Sequence, residues 1–293
     1  MAKRAPSSPK SFFEPVIIGA PDARGVTRGD PRDLKRLDLS GKSLFLFDLD
    51  GVFYRGKESR VELGGAKVVD ALRSRRKRLF VLTNDSTDSV QTICSRLGEI
   101  GVRLTEDEVL TSALLTADYL LSRYGRVSYY LVGEPGLEQE MNKFGHHRTE
   151  GEKADFVVVG LDRRLSYDKL DHAARLVRNG ASIIATHSAR LYMYATGPAV
   201  ATGPIVKAIE YATGKRATVV GKPSGLMFRM ALRKAGCRNV DAVMVGDQVE
   251  TDVLGANRVG IDAILVTTGV DKTAKGHRVL ATVSSVDELV KFL

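Results

Sequence analysis

Cysteine is nearly missing from this chain. Cys94 and Cys237 are its only two in 293 residues, too few and too far apart in sequence for a disulfide framework or a zinc site. Both fall in predicted helices, which fits buried free thiols and a reducing compartment. Long apolar runs are also missing. No stretch approaches the roughly 18 residues that span a bilayer. Val16-Ile17-Ile18 is short and flanked by Glu14 and Pro15, unlike the core of a signal peptide. A cytoplasmic protein without a membrane partner is therefore expected. There is no internal repeat. Acidic residues run short of basic ones, with Asp+Glu 35 against Lys+Arg 44 and a formal net charge of +9. That balance suits nucleic acid, an anionic membrane surface or a phosphorylated small molecule. The basic residues are scattered except for Arg73, Arg75, Arg76, Lys77 and Arg78. These end a predicted helix, where cations complement the dipole as a solvated helix end.

What is present reads as a globular α/β protein, 43% hydrophobic and 27% charged. Residues 1–40 stand apart. Five of the nine prolines fall there, among Lys, Arg, Ser and Gly, and a flexible basic arm is expected. From Leu44 onward, apolar runs alternate with helical stretches, which argues for a parallel sheet covered by helices. Strands are expected at Leu44–Phe47, Leu79–Leu82, Val109–Leu110, Thr218–Val220, Ala242–Val245 and Ala263–Val266. Helices are expected at Ala66–Arg75, Ser89–Ile100, Leu226–Ala235 and Asp252–Val259. About 100 intervening residues alternate on their own, through Tyr129–Val132, Phe156–Val159, Tyr167–Asn179 and Ser182–Ala185. The simplest layout is a Rossmann-like parallel-sheet core at 41–112 and 214–293, with a smaller α/β cap inserted at 113–213.

One strand ends in two acids: Phe45-Leu46-Phe47-Asp48-Leu49-Asp50-Gly51. An unpartnered buried carboxylate costs several kcal/mol or more, so these acids should reach a crevice at the carboxyl edge of the sheet. Positions i and i+2 of a strand face one side, which would let Asp48 and Asp50 converge on a ligand. An ordinary aspartate-rich turn is the alternative. Three further polar clusters each follow an expected strand of the main sheet: Thr83/Asn84, Gly221-Lys222-Pro223-Ser224, and Gly246-Asp247 with Asp252. Parallel strands would bring all four to one edge. Three or four carboxylates gathered there require a cation, and oxygen ligands suit Mg²⁺ better than zinc. A lysine and hydroxyl or amide donors beside it suit an anion. Metal, anion and a spare carboxylate together are the needs of phosphoryl transfer. Rival motifs fail. Gly41-Lys42-Ser43 has Arg36 where a phosphate-binding loop needs its first glycine, and Asp48-Leu49-Asp50-Gly51 lacks the third acid of a calcium loop. His146 and His147 are adjacent on a polar loop and should diverge.

In these segments the chain resembles the haloacid dehalogenase superfamily of phosphohydrolases. More closely, it resembles the 4-nitrophenylphosphatase-like and nucleotide-phosphatase-like branch with a large α/β cap. Asp48-Leu49-Asp50-Gly51-Val52 with Tyr54-Arg55-Gly56 is similar to the first motif, and Leu82-Thr83-Asn84 to the second. Gly221-Lys222-Pro223-Ser224 resembles the third, and Gly246-Asp247 through Asp252 the fourth. The likeness covers about residues 43–270, including Val158–Asp162 and Ala185-Thr186 of the cap. It implies that Asp48 is the nucleophile and Asp50 the general acid and base. It implies Mg²⁺ at Asp48, Asp50 (through its carbonyl), Asp247 and Asp252. Thr83, Asn84 and Lys222 would contact the phosphoryl group. Gly51, His187, Arg190 and Tyr192 are the candidate substrate-binding residues, and homo-oligomers such as a dimer are implied through the cap.

Three departures stand out. Asp85 replaces a second asparagine and would serve as a helix cap. Gln248 replaces an arginine. His187-Ser188-Ala189 departs from the cap-loop pattern, and Arg190, Tyr192 and Tyr194 follow it. That stretch would bind an aromatic or extra-anionic leaving group; alternatively, Tyr192 and Tyr194 are cap-core or dimer-interface residues. The expected activity is Mg²⁺-dependent hydrolysis of a small phosphomonoester. A non-catalytic binder, with nucleic acid on the basic arm, is the competing class, disfavoured by the intact Asp48/Asp50 pair. A phosphotransferase to an alcohol is the third reading.

Overall fold

The computed structural model describes Leu34 and residues 37–55, 61–194 and 197–293. Most of the expected basic arm lies outside the described residues, as do Gly56 of the first motif and the side chain of Tyr194. Leu39 is fully buried in an apolar cluster with Phe45 and Phe47, and its amide donates to the Phe292 carbonyl at 2.9 Å. Packed chain thus begins ahead of Leu44.

The first half of the molecule runs β1 (Leu44–Phe47), a short antiparallel pair β2 (Tyr54–Arg55) and β3 (Val61–Glu62), α1 (Gly65–Ser74), β4 (Arg78–Thr83), α2 (Val90–Glu99) and β5 (Val109–Thr111). Next come α3 (Ser112–Tyr124), β6 (Ser128–Val132), α4 (Pro135–Lys143), β7 (His147–Arg148), β8 (Phe156–Val159), α5 (Tyr167–Arg178) and β9 (Ser182–Ala185). A hairpin of β10 (Leu191–Tyr194) and β11 (Gly197–Val200) leads to α6 (Thr202–Thr213) and β12 (Thr218–Val219). The chain closes with α7 (Gly225–Ala235), β13 (Ala242–Gly246), a π-turn at Val249–Val253, α8 (Leu254–Asn257), β14 (Asp262–Val266) and β15 (Ala281–Val283).

The main sheet is parallel throughout, in the order β15-β14-β13-β1-β4-β5. Its strands read as continuous apolar runs because both faces are covered. Leu44 and Leu46 point to one side, with α7 and α8, while Phe45 and Phe47 point to the other, with α1 and α2. From β1 the chain winds outward to β5 and later returns to β13, winding the other way. The order therefore reverses between β1 and β13, and the crevice at a topological switch point is where open α/β sheets bind ligands.

The second sheet, β12-β9-β8-β6-β7, is also parallel. Helices α5 and α6 cover one face, α5 through Leu176 and Val177 and α6 through Ile205, Val206 and Ile209. The other face meets α3 and α4 and continues into the apolar cluster of the main sheet, where Tyr129, Val158 and Met141 join Leu46, Met227 and Met244. The strand at Thr218–Val219 pairs with β9, so it belongs to this second sheet and not to the main one as expected. Two residues carry too little pattern to say which sheet they extend. The two histidines diverge: His146 is buried, within 3.0 Å of the Ala117 carbonyl and 3.3 Å of the Val127 amide, while His147 is exposed. Cys94 and Cys237 are free and half-buried; Cys237 lies just past the end of α7, outside any helix. No helix among the described residues is long and apolar enough to cross a membrane.

Candidate active site

β1 and β13 are neighbours, and each ends in a buried acid, Asp48 and Asp247. β1 stops at Phe47, so Asp48 and Asp50 sit on a turn and not on a strand. Their relation is set by that turn, not by the two-residue alternation expected for them. The Gly51 amide donates to the Tyr54 carbonyl at 2.8 Å, and Gly51 adopts φ +77°, in the left-handed region. A Cβ there would also stand 2.5 Å from Asp247 Oδ2. Glycine is needed for both reasons. Asp48 is buried, whereas the Asp50 side chain stands exposed at the rim.

Asp252 is delivered by the π-turn, five residues beyond Asp247. Its Oδ2 accepts from the Gln248 amide at 3.1 Å. Lys222 lies fully buried between two acids, its Nζ 2.7 Å from Asp48 Oδ1 and 2.7 Å from Asp252 Oδ1. Burial alone would lower the lysine pKa, but the carboxylates of Asp252 and Asp48 outweigh it and hold the ammonium above its ordinary range. The acids respond oppositely. Burial, then the charges of Asp48 and Asp252, push Asp247 upward; burial and Asp48 do the same to Asp252, against the pull of Lys222.

One ammonium among three buried carboxylates leaves a negative excess in a dry place. Oxygens of Asp48, Asp247 and Asp252 lie within 4.8 Å of one another. Asp247 Oδ2 accepts from the Val270 amide at 2.7 Å, yet its Oδ1 is buried without a hydrogen-bond partner. Buried polar atoms are rarely left so. A divalent cation with hard oxygen ligands satisfies the orphan oxygen and the surplus charge together, so the donor set fits one.

Asn84 ties the second motif to the third. Its Oδ1 accepts from the Lys222 amide at 2.9 Å, and its Nδ2 donates to the Lys222 carbonyl at 3.0 Å. Thr83 is buried at the end of β4, and its hydroxyl oxygen accepts from the Asp85 amide at 3.0 Å. Asp85 does not cap α2, whose N-cap is Ser89. Its Oδ1 instead closes a turn with the Thr87 amide and hydroxyl, because four residues separate it from the helix.

The cap-loop candidates separate. His187 is buried, its Nδ1 accepting from the Ala189 amide at 3.3 Å and its Nε2 2.9 Å from Thr202 Oγ1. Both ring nitrogens are thus engaged by its own loop and α6. Arg190 is exposed and 3.4 Å from Glu250 of the π-turn, and Tyr192 is half-buried on β10. The expected sites also omitted the turn after β14, whose Val270 amide holds Asp247. Its contribution is made by backbone groups, which leave little mark on sequence.

Residues 45–147 match the family model described as haloacid dehalogenase-like hydrolase, and residues 219–289 match one described as HAD-hydrolase-like. An acid sugar phosphatase of Staphylococcus epidermidis is 34% identical over 226 residues, 77% of this chain and 86% of that protein. The 5'-nucleotidase YutF of Bacillus subtilis is 32% identical over 228 residues, 78% of this chain and 88% of that one. Among solved structures, 4-nitrophenylphosphatase from Thermotoga maritima superimposes with a TM-score of 0.80 at 33% identity, covering 86% of this chain and 98% of that one. The p-nitrophenyl phosphatase from Archaeoglobus fulgidus gives a TM-score of 0.79 at 30% identity, covering 86% and 99%. The chain belongs to the haloacid dehalogenase-like hydrolases, in their 4-nitrophenylphosphatase-like branch, and is a phosphoric monoester hydrolase.

Proposed function

We propose that this enzyme hydrolyses a small phosphomonoester in two steps, through an aspartyl-phosphate on Asp48, with Mg²⁺ as its cation. The observation that carries this reading is the buried group of Asp48, Lys222, Asp252 and Asp247, with its 2.7 Å ammonium contacts and an orphan carboxylate oxygen. Asp48, Asp247, Asp252 and the Asp50 carbonyl would hold the Mg²⁺, which supplies charge neutralisation at the phosphoryl oxygens.

Lys222 and the Leu49 amide, each 2.7 Å from Asp48 Oδ1, hold the nucleophile in one orientation. Asp48 Oδ2 attacks phosphorus, the bond from phosphorus to the ester oxygen breaks, and Asp50 gives its proton to the departing alkoxide. Asp50 then takes a proton from water, the water oxygen bonds to phosphorus, and the bond to Asp48 breaks. Lys222 and the Thr83 hydroxyl stabilise charge on the transferring oxygens, while Asn84 holds the Lys222 backbone in register. Sugar phosphates, nucleotides, phosphoglycolate and aryl phosphates are the substrate range; the activities named for the relatives support the sugar phosphate, nucleotide and aryl phosphate classes. Gly51 lets the first-motif turn approach the substrate closely. Arg190 and Tyr192 contact the leaving group, and His187 shapes that end of the site by fixing its loop.

Phosphate release from a panel of phosphomonoesters, with Mg²⁺ and with chelator, tests the reading. Metal-dependent release should fall at least about a thousandfold in Asp48→Asn while the far-UV circular dichroism stays native. A near-wild-type rate in that variant would remove Asp48 as nucleophile, and no release from any ester would remove the reaction.

A further inference from the structure

The segment Thr267-Thr268-Gly269-Val270-Asp271 follows β14 and wraps the end of β13. Gly269 lies so close that a Cβ there would overlap the Asp247 carboxylate. The Val270 amide takes Asp247 Oδ2 at 2.7 Å, and the Asp271 amide donates to the Asp247 carbonyl at 3.0 Å. Asp271 then reaches past Asp247. Its Oδ2 accepts from the Val249 amide at 2.8 Å, at the first residue of the π-turn, where helical turns leave donors unpaired.

We propose that Asp271 is a positioning residue for the metal centre, tying the strand end that carries Asp247 to the turn that carries Asp252. This inference rests on the reading of Asp48, Asp247 and Asp252 as a divalent-cation site. Of the two Asp247 oxygens, the turn occupies Oδ2 and leaves Oδ1 buried and unpaired, aimed as a ligand atom. Through Val249 the same turn fixes the start of the segment that places Asp252. The Asp271 charge is itself matched, since Oδ1 lies 2.6 Å from Lys275 Nζ. Asp271 therefore acts through its hydrogen bonds and not as a further ligand. The turn is anchored at its other end: Thr268 Oγ1 donates to the Gly51 carbonyl, and Arg55 donates to the Thr268 carbonyl at 2.6 Å. Lys272 Nζ holds the carbonyls of Thr267 and Gly269, each at 2.7 Å. Such partners of metal ligands are commonly worth about 10- to 100-fold in metal affinity.

The test is calorimetric titration of the full chain with Mg²⁺ alone, for wild type, Asp271→Ala and Asp271→Asn, alongside phosphate release at saturating Mg²⁺. Asp271→Ala should weaken Mg²⁺ binding by about 10-fold or more while KM for the ester changes less than about 3-fold. Asp271→Asn keeps an acceptor for the Val249 amide and should stay within about 3-fold of wild type in Mg²⁺ affinity. Should Asp271→Ala not fold, Val249→Pro deletes the same hydrogen bond from the donor side. Proline is tolerated at a first helical position, and Gln248 at φ −121° and ψ 123° already suits a residue preceding one. Unchanged Mg²⁺ affinity in a folded Asp271→Ala or Val249→Pro would overturn the inference, even with a lowered melting temperature. Wild type that binds Mg²⁺ but releases no phosphate would sink the hydrolase reading and leave this comparison decisive. Wild type that binds no Mg²⁺ would sink both.

Discussion

His187 is a neutral base enclosed by protein. Burial first, then the nearby charge of Lys222, lowers its pKa to about 4, with Asp85 opposing. In the unfolded chain the imidazole would titrate near its ordinary value of about 6.5. Between those values the unfolded chain carries a proton that the folded chain refuses, so stability falls as pH drops through the window and is complete above it. The loss from this one group is on the order of 3 kcal/mol. Urea midpoints for wild type and His187→Asn at pH 7 and pH 4.5 isolate it, because the carboxylates titrate in both. Wild type should lose more over that interval; parallel losses would show that the ring is solvated. Lys222 is the opposite case, a buried cation that keeps its proton because Asp48 and Asp252 each stand 2.7 Å away.

A carboxylate on α4 accepts a hydrogen bond from the first residue of α2, beside the close approach of Gly136 to the Thr87 backbone. Glu140 on α4 is fully buried, its Oε1 accepting from the Val90 amide at 3.1 Å and Lys143 Nζ at 3.0 Å. Val90 opens α2, so an acid contributed by the inserted unit satisfies a donor of the main one, where negative charge is also favoured. Removing it as Glu140→Ala strands that amide and should cost about 1–3 kcal/mol in denaturant unfolding. Glu140→Gln keeps the acceptor and should retain most of that stability; equal losses in both variants would mean that packing, not the hydrogen bond, makes the joint. Local pattern recorded some elements better than others. β1, β4, β8, β9 and β13 stand as apolar runs because both of their faces are covered, and they were legible within a residue or so. The helix expected at Asp252–Val259 is instead a π-turn running into α8, since Asp252 must fold back onto the Gln248 amide. β12 could not be assigned to its sheet from two residues. In the site, Asp48, Lys222, Asp247 and Asp252 were readable as side chains in motifs. The clamp at 267–271 was not, because its amides and its missing Cβ at Gly269 look like any turn.

The whole chain carries a formal charge of +9, while the cluster beneath the crevice is acidic. A dianionic ester is drawn by the first and would be repelled by the second without a cation. Screening should therefore slow capture more than turnover. Raising NaCl from about 20 mM to about 500 mM should lower kcat/KM several-fold and leave kcat within about twofold. A salt-independent kcat/KM would deny the surface charge any part in capture. The path of the chain between its two sheets has a different consequence. Val220 and Gly221 donate to the carbonyls of Ala185 and Thr186 at 3.0 and 2.7 Å, and Lys222 is the next residue. The lysine that pairs with Asp48 is thus set in register by the inserted sheet as well as by Asn84. An engineer who grafted a foreign insertion between α3 and α7 would remove one of the two ties on the Lys222 backbone and leave Asn84 alone to present that ammonium to Asp48. New substrate preferences are open to this scaffold only through changes that spare the β9–β12 seam.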